Sequence, residues 1–366
     1  SSISTSAWRV PNSLKKGLAD SFGKFDEYQL AKYNRQNAIK LKNILCLVHP
    51  KAKDETQNDL WKRLLEDRLE TPVTWETELS VKGNTKETWE SLIDGNRLGY
   101  MAMMRNLRNI IKSEASNIDK VYKYLADEER VLRNKQLPFR YYSAYKALKN
   151  EGLGTSKIYD ALEIAIKAST QNINRLNGKT LIAADVSGSM NSPISRKSDL
   201  TCAEIAVLML SIANYICEES ITTTFDNNLY MCNLSTQNGI ISNANSIEVN
   251  GGGTDITLPL RYLIDKKIFV DRIIILSDNE INSGYSTSMS YGGPKTCQSL
   301  VEWYKKYINP DVWVHAIDMQ GYGTQQFKGK NVNIIAGWSE RVFDFISSVE
   351  QGMDSLIDKI SSYYFK

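Results

Sequence analysis

A chain of 366 residues with 42% hydrophobic and 24% charged side chains has room for two packed domains, and this composition excludes a disordered or collagen-like polymer. Apolar runs such as Ile-Ile-Ile-Leu at 273–276 fall far short of the ~18–20 residues that cross a bilayer, so no membrane partner is expected. The net charge of +3 hides a polarity, with 28 Lys and Arg against 21 Asp and Glu in residues 1–160 and 17 against 21 thereafter; a polyanion suits the first half.

The first half reads as helices. Ile39, Leu41, Ile44, Leu45, Leu47 and Val48 recur at about helical spacing and stop at Pro50. Residues 98–111 predict a second helix, apolar on most of its circumference. Residues 121–132 and 141–148 predict two more, the latter entered through Leu137-Pro138. Short helices with brief connections imply a HEAT-like α-solenoid over residues 1–170, with room for about three or four helix pairs.

The second half alternates. Residues 179–185, 221–225, 229–234, 272–277 and 312–317 predict strands, while 200–219, 258–265, 297–307 and 343–360 predict helices. The expectation is a doubly wound, mostly parallel sheet over residues 171–366, entered through a linker at 171–178. Ligands of such sheets sit beyond the carboxyl ends of the strands. Five cysteines, at 46, 202, 217, 232 and 297, are odd in number and form no CxxC. They argue for a reducing, cytoplasmic setting. Two histidines, His49 and His315, argue against a histidine-ligated metal.

Chemistry gathers at the expected strand ends. Asp185-Val-Ser187-Gly-Ser189 closes the first strand, Gly251-Gly-Gly-Thr254-Asp255 forms a flexible loop, and Ser277-Asp278-Asn279 closes another strand. Carboxylates and hydroxyls of this kind suit a hard divalent cation such as Mg²⁺. These three segments, in this order, resemble the metal-ion-dependent adhesion site of von Willebrand factor A domains. The resemblance implies Ser187, Ser189 and Thr254 as direct ligands, with Asp185 and Asp278 bound directly or through water. It also implies one open position, which in that family takes a partner's carboxylate. Asp255 and Glu280 are the only further acids nearby, too few for a two-metal nuclease. With no Gly-x-Ser-x-Gly elbow, no P-loop and no histidine beside Ser187 or Ser189, an enzyme is not expected.

The helical half carries a second resemblance. Lys32-Tyr33-x-Arg35, Val48-His49-Pro50, residues 100–110 (YMAMMRNLRNI) and 137–145 (LPFRYYSAY) are similar to the TROVE module that precedes a von Willebrand A domain in the Ro autoantigen family. That resemblance implies a non-catalytic scaffold that binds small structured Y-type or misfolded RNA, with bacterial members cooperating with an exonuclease. The family's RNA-contacting lysine and histidine match Lys32 and His49. Its arginine falls one place off, as Arg35, and Lys51 and Lys53 extend the same patch by charge. The helical part is about half the length of a Ro module. Upstream residues, a compact form or a ring of several chains would each account for that. Arg105 and Arg108 face phosphates or pair with acids such as Glu128 or Glu129. Tyr141, Tyr142 and Tyr145 stack on bases or pack between helices, and His315 belongs to the core. A metal-dependent protein-interaction module with the helices as scaffold is the alternative function.

Overall fold

The structure is a computed structural model that describes residues 10–34, 38–70, 74–195, 198, 200–278, 296–321, 327–352, 357 and 361. The chain forms two compact units, Ser1–Arg97 and Leu98–Lys366.

The first unit holds α1 (Asn12–Phe22), α2 (Glu27–Tyr33), α3 (Leu41–Val48), α4 (Glu55–Leu65), α5 (Trp75–Lys82) and α6 (Lys86–Asp94). Short helices depend on their ends, and four of these six, α2, α4, α5 and α6, have a capping side chain. Asp26 accepts the Gln29 N–H at 2.7 Å while Gln29 takes the Asp26 N–H at 3.0 Å, and Asp54 accepts from the Gln57 N–H at 2.8 Å. In α3 only Leu41, Ile44, Leu45 and Val48, at i, i+3, i+4 and i+7, turn toward the core. Ile39 precedes the helix and Leu47 lies off that stripe, so both are exposed, at 69% and 43%. The core gathers Phe22, Leu30, Leu45, Leu60, Trp61 and Leu64, with Phe22 and Trp61 edge to face at 6.4 Å.

The second unit opens with α7 (Tyr100–Lys112), α8 (Ile118–Leu125), α9 (Glu128–Arg133), α10 (Pro138–Asn150) and α11 (Ser156–Ser169). The single helix expected over 121–132 is two, because Asp127 accepts the Arg130 N–H at 3.0 Å and starts α9 afresh. Pro138 occupies the first turn of α10 as expected. Tyr141, Tyr142 and Tyr145 are buried packing residues.

Then come β1 (Leu176–Asp185), α12 (Cys202–Ile216), β2 (Cys217–Phe225), β3 (Leu229–Met231), α13 (Ile240–Ser246), α14 (Leu258–Asp265), β4 (Arg272–Ser277), α15 (Cys297–Tyr307), β5 (Trp313–Asp318), β6 (Val332–Ala336) and α16 (Arg341–Glu350). The described strands form one sheet in the order β3-β2-β1-β4-β5-β6, parallel except for β3. β1 starts three residues before the expected strand, so it takes up the end of the 171–178 stretch. The helix expected over 200–219 ends at Ile216, and β2 follows without a loop. Twelve of the fifteen α12 residues are buried, so α12 is enclosed rather than amphipathic.

Polar contacts tie α10 and α11 to the sheet-bearing part of this unit. Lys146 pairs with Glu204 at 2.5 Å, and Asn245 donates to the Tyr145 hydroxyl at 3.0 Å. The Glu163 carboxylate accepts the N–H groups of Ile241 and Ser242 at 3.0 and 3.1 Å, capping α13 from another helix. The Phe139 N–H donates to the buried carboxylate of Glu340.

Below the opposite, amino ends of the strands lies a buried polar network. Arg272 donates to Glu350 through Nε at 2.8 Å and through Nη2 at 2.7 Å. His315, fully buried as expected, meets Glu350 through Nε2 at 2.9 Å and Asn333 through Nδ1 at 3.2 Å. Asn333 donates its amide proton, so Nδ1 accepts and Nε2 carries the hydrogen. Burial pushes the Glu350 carboxyl up, but the bonds from His315 and Arg272 outweigh it and hold it below its usual value. Burial lowers His315 below its own.

Glu350→Ala strands Arg272 in the interior, and the expected cost is about 3–5 kcal/mol in urea-unfolding free energy. Both groups bind protons more readily when unfolded. Stability is therefore expected to fall as pH drops below about 6.5 through His315, and again below about 4.5 through Glu350. Urea midpoints measured across that range check the sign.

Candidate metal centre and nucleic-acid residues

β1 lies between β2 and β4, and the chain builds outward from it in both directions. The crevice at that reversal receives the residues singled out by the sequence. Asp185 ends β1 and is fully buried. Its Oδ1 accepts the Ser187 N–H at 2.9 Å and its Oδ2 accepts the Ser277 hydroxyl at 2.7 Å. Ser187 and Ser189 bring their Oγ atoms within 3.3 Å of each other.

The glycine loop is stitched to this turn. Gly251 N–H donates to Val186 O, and Gly188 N–H to Gly252 O, each at 2.9 Å. A Cβ on Gly188 would lie 3.1 Å from Gly251 O, so glycine permits the close approach. Thr254, half-buried, lies two residues beyond the stitch. Asp278 follows β4 and is fully buried. Burial first, and then the charge of Asp278, raise the Asp185 carboxyl to about 6, against the opposing bonds from Ser187 and Ser277. Two buried carboxylates within electrostatic reach, beside two converging hydroxyls, form a donor set suited to a hard cation. Among the described residues, no three His, Cys, Asp or Glu side chains cluster with metal-site geometry. The set is one of mixed carboxylate and hydroxyl oxygens.

Of the further acids, Asp255 is spent on its own turn, accepting the Thr257 N–H at 3.0 Å and its hydroxyl at 2.5 Å. Glu280, like Asn279, lies outside the described residues. The sequence reading passed over Asp318, which ends β5 fully buried. It accepts the Gln320 and Gly321 N–H groups at 3.1 and 2.8 Å. Burial, then the charges of Asp278 and Asp318, push the Cys202 thiol up to about 11. The signal for Asp318 was a carboxylate closing a buried strand, the same one that marked Asp185.

The candidate RNA residues belong to the first unit. Lys32 lies on α2 with its Nζ 5.6 Å from the Tyr28 ring centre. His49 is exposed and ends α3 in the left-handed region at φ 45°, its N–H bonded to Leu45 O. Lys51 is exposed. Lys53 is exposed, but its Nζ donates to Gly23 O at 3.1 Å, where it ties α4 to the end of α1. Arg35 lies outside the described residues. On α7, Arg108 pairs with Glu151 at 2.6 Å rather than with Glu128 or Glu129.

A parallel sheet with this oxygen-rich crevice, preceded by helices, defines a von Willebrand A-type domain behind a helical part. Residues 62–157 match the TROVE domain family and residues 179–291 match the Ro60 vWA domain family. The second match contains Asp185, Ser187, Ser189, Thr254 and Asp278, whereas Lys32, Arg35, His49, Lys51 and Lys53 precede the first. Telomerase protein component 1 of Rattus norvegicus is 41% identical over 83 residues, which is 22% of this chain and 3% of that protein. RNA-binding protein RO60 of Caenorhabditis elegans is 29% identical over 220 residues, 55% of this chain and 33% of that protein. The chain thus spans a third or less of these curated relatives. The crystal structure of the Deinococcus radiodurans Ro protein superposes with a TM-score of 0.65 at 18% identity, covering 93% of this chain and 77% of that one, and so shares its fold. The chain thus carries, in order, a segment similar to the TROVE family and a segment similar to the Ro60 von Willebrand A family.

Ser277→Ala removes the hydroxyl donor from a buried carboxylate oxygen. The expected loss is about 1–3 kcal/mol of stability, read as a lower midpoint in chemical denaturation.

Proposed function

We propose that this chain is a non-catalytic RNA-binding scaffold whose ligand is a small structured or misfolded RNA. The observation that carries the reading is the ordered pair of family matches, TROVE then Ro60 vWA, beside relatives named as RNA-binding proteins. The excess of Lys and Arg in residues 1–160 agrees with it. Lys32 and His49 are the proposed RNA contacts. Lys51 adds charge, and Lys53 serves first to hold α1 against α4.

The crevice is proposed to hold Mg²⁺ through Ser187, Ser189 and Thr254, with Asp185 and Asp278 acting directly or through water. The bound cation would supply a Lewis-acidic position for a carboxylate of a protein partner. The chain's own part is to orient the donors. Ser277 and the Ser187 N–H fix the Asp185 carboxylate, and the Gly188 and Gly251 stitches hold the two loops together.

Fluorescence titration of a labelled stem-loop RNA over a salt series, beside duplex DNA of equal length, tests the RNA reading. Preference for the RNA, binding that weakens steeply with salt, and a loss of about tenfold in a Lys32→Ala, His49→Gln double variant are expected. Equal affinity for DNA and RNA, untouched by the variant, would overturn it. Calorimetric titration with Mg²⁺ or Mn²⁺ tests the crevice: a single site lost in Ser187→Ala, Ser189→Ala supports it, and no heat in the parent protein refutes it.

A further inference from the structure

The second unit holds a groove of about 290 Å³ between α7 and α10 that the RNA and metal readings leave unused. Its floor is aliphatic and thioether, including Met101, Met104 and Ala147, and its rim carries Arg105, Arg108 and Arg140. Arg108 is neutralised by Glu151, which also takes Lys112 at 2.6 Å. Arg105 and Arg140 are both exposed and form no salt bridge among the described residues. One soft apolar floor is thus bordered by two exposed guanidinium groups, of which Arg140 also lies within electrostatic reach of the buried Glu340.

We propose that this groove docks an acidic amphipathic peptide helix from a protein partner. Leu-like side chains would enter between Met101, Met104 and Ala147, and carboxylates would reach Arg105 and Arg140. Three features select that chemistry. Flexible methionines accommodate branched aliphatic side chains. Guanidinium groups pair carboxylates in forked geometry and carry charge complementarity to an acidic face. No aromatic side chain lines the groove, whereas unpaired bases are held chiefly by aromatic stacking. The geometry of two facing helices suits a third laid along their seam. This site is separate from the oxygen-rich crevice and does not depend on RNA binding in the first unit.

The probe is a fluorescein-labelled helical peptide of about 14 residues with one face of Leu and the other of Glu. Its Lys-for-Glu counterpart and a labelled oligouridylate serve as comparisons. Fluorescence anisotropy with the full chain is expected to show the acidic peptide binding at least about tenfold more tightly than the basic one. Arg105→Glu with Arg140→Glu should abolish that preference, and Ala147→Trp should block binding by filling the floor. Arg133→Glu, which removes an exposed cation paired with Glu129 outside the groove, should leave it unchanged. Circular dichroism of each variant separates a lost site from a lost fold, and Arg105→Gln, Arg140→Gln replaces the charge reversal if that one unfolds. No binding by the acidic peptide, equal binding of both peptides, or retention in the filled variant overturns the proposal. So does binding of oligouridylate alone that the arginine changes abolish, which would mark the groove as part of the RNA surface.

Discussion

Everything in the sheet-bearing part follows from the position of β1. It pairs in parallel with β2 on one side and β4 on the other, and residues 180–185 are buried without interruption. A strand so placed must be covered on both faces, which is why α12 against it is buried over most of its circumference. The same placement makes the chain leave β1 in one direction and return in the other, so the connections part above its carboxyl end. Asp185 stands in that gap. A carboxylate there is out of water, and the chain answers with a hydroxyl from the end of β4 and an N–H from its own loop. Topology and oxygen chemistry therefore have one origin.

Directional bonds join the helices before the sheet to it, beside apolar contacts such as Phe139 edge-to-face on Trp338 at 4.6 Å. Lys146 to Glu204, Asn245 to Tyr145, Glu163 to the start of α13 and Phe139 to Glu340 all link an α10 or α11 residue to a loop or helix end of the sheet-bearing part. Glu204 also accepts the Thr201 N–H at 3.0 Å, and Cys202 N–H reaches back to Ser192 O in the loop that follows Ser189. These bonds form a continuous run from α10 through the first turn of α12 to Ser192.

Much of this was legible in the sequence because local rules and burial agreed. The runs at 272–277, 258–265 and 297–307 became β4, α14 and α15 with the same bounds. The oxygen-bearing segments were found as motifs, since each joins a hydrophobic strand or a glycine run to short polar side chains. Errors arose where periodicity was averaged over a break. Residues 121–132 kept an apolar rhythm across the cap at Asp127, and 200–219 read as one helix because Cys217 and its neighbours begin β2 with no turn residues between. β6 and α13 were missed: β6 is only half-buried along its length, and α13 is a seven-residue helix rich in Ser and Asn. Pairing partners were the least legible. Nothing in sequence distance points Arg108 to Glu151 or Lys53 to Gly23 O, because such contacts depend on how helices cross.

The smallest strand has a consequence of its own. β3 is three residues long and runs antiparallel along β2, and just past it Cys232 N–H still reaches Thr222 O. β2 is nine residues long and would otherwise offer a long open ladder of backbone donors and acceptors. A brief strand laid against its carboxyl end replaces much of that ladder with a short, turning one on which a second chain finds little to extend. On this side the fold carries its own protection against sheet-to-sheet aggregation.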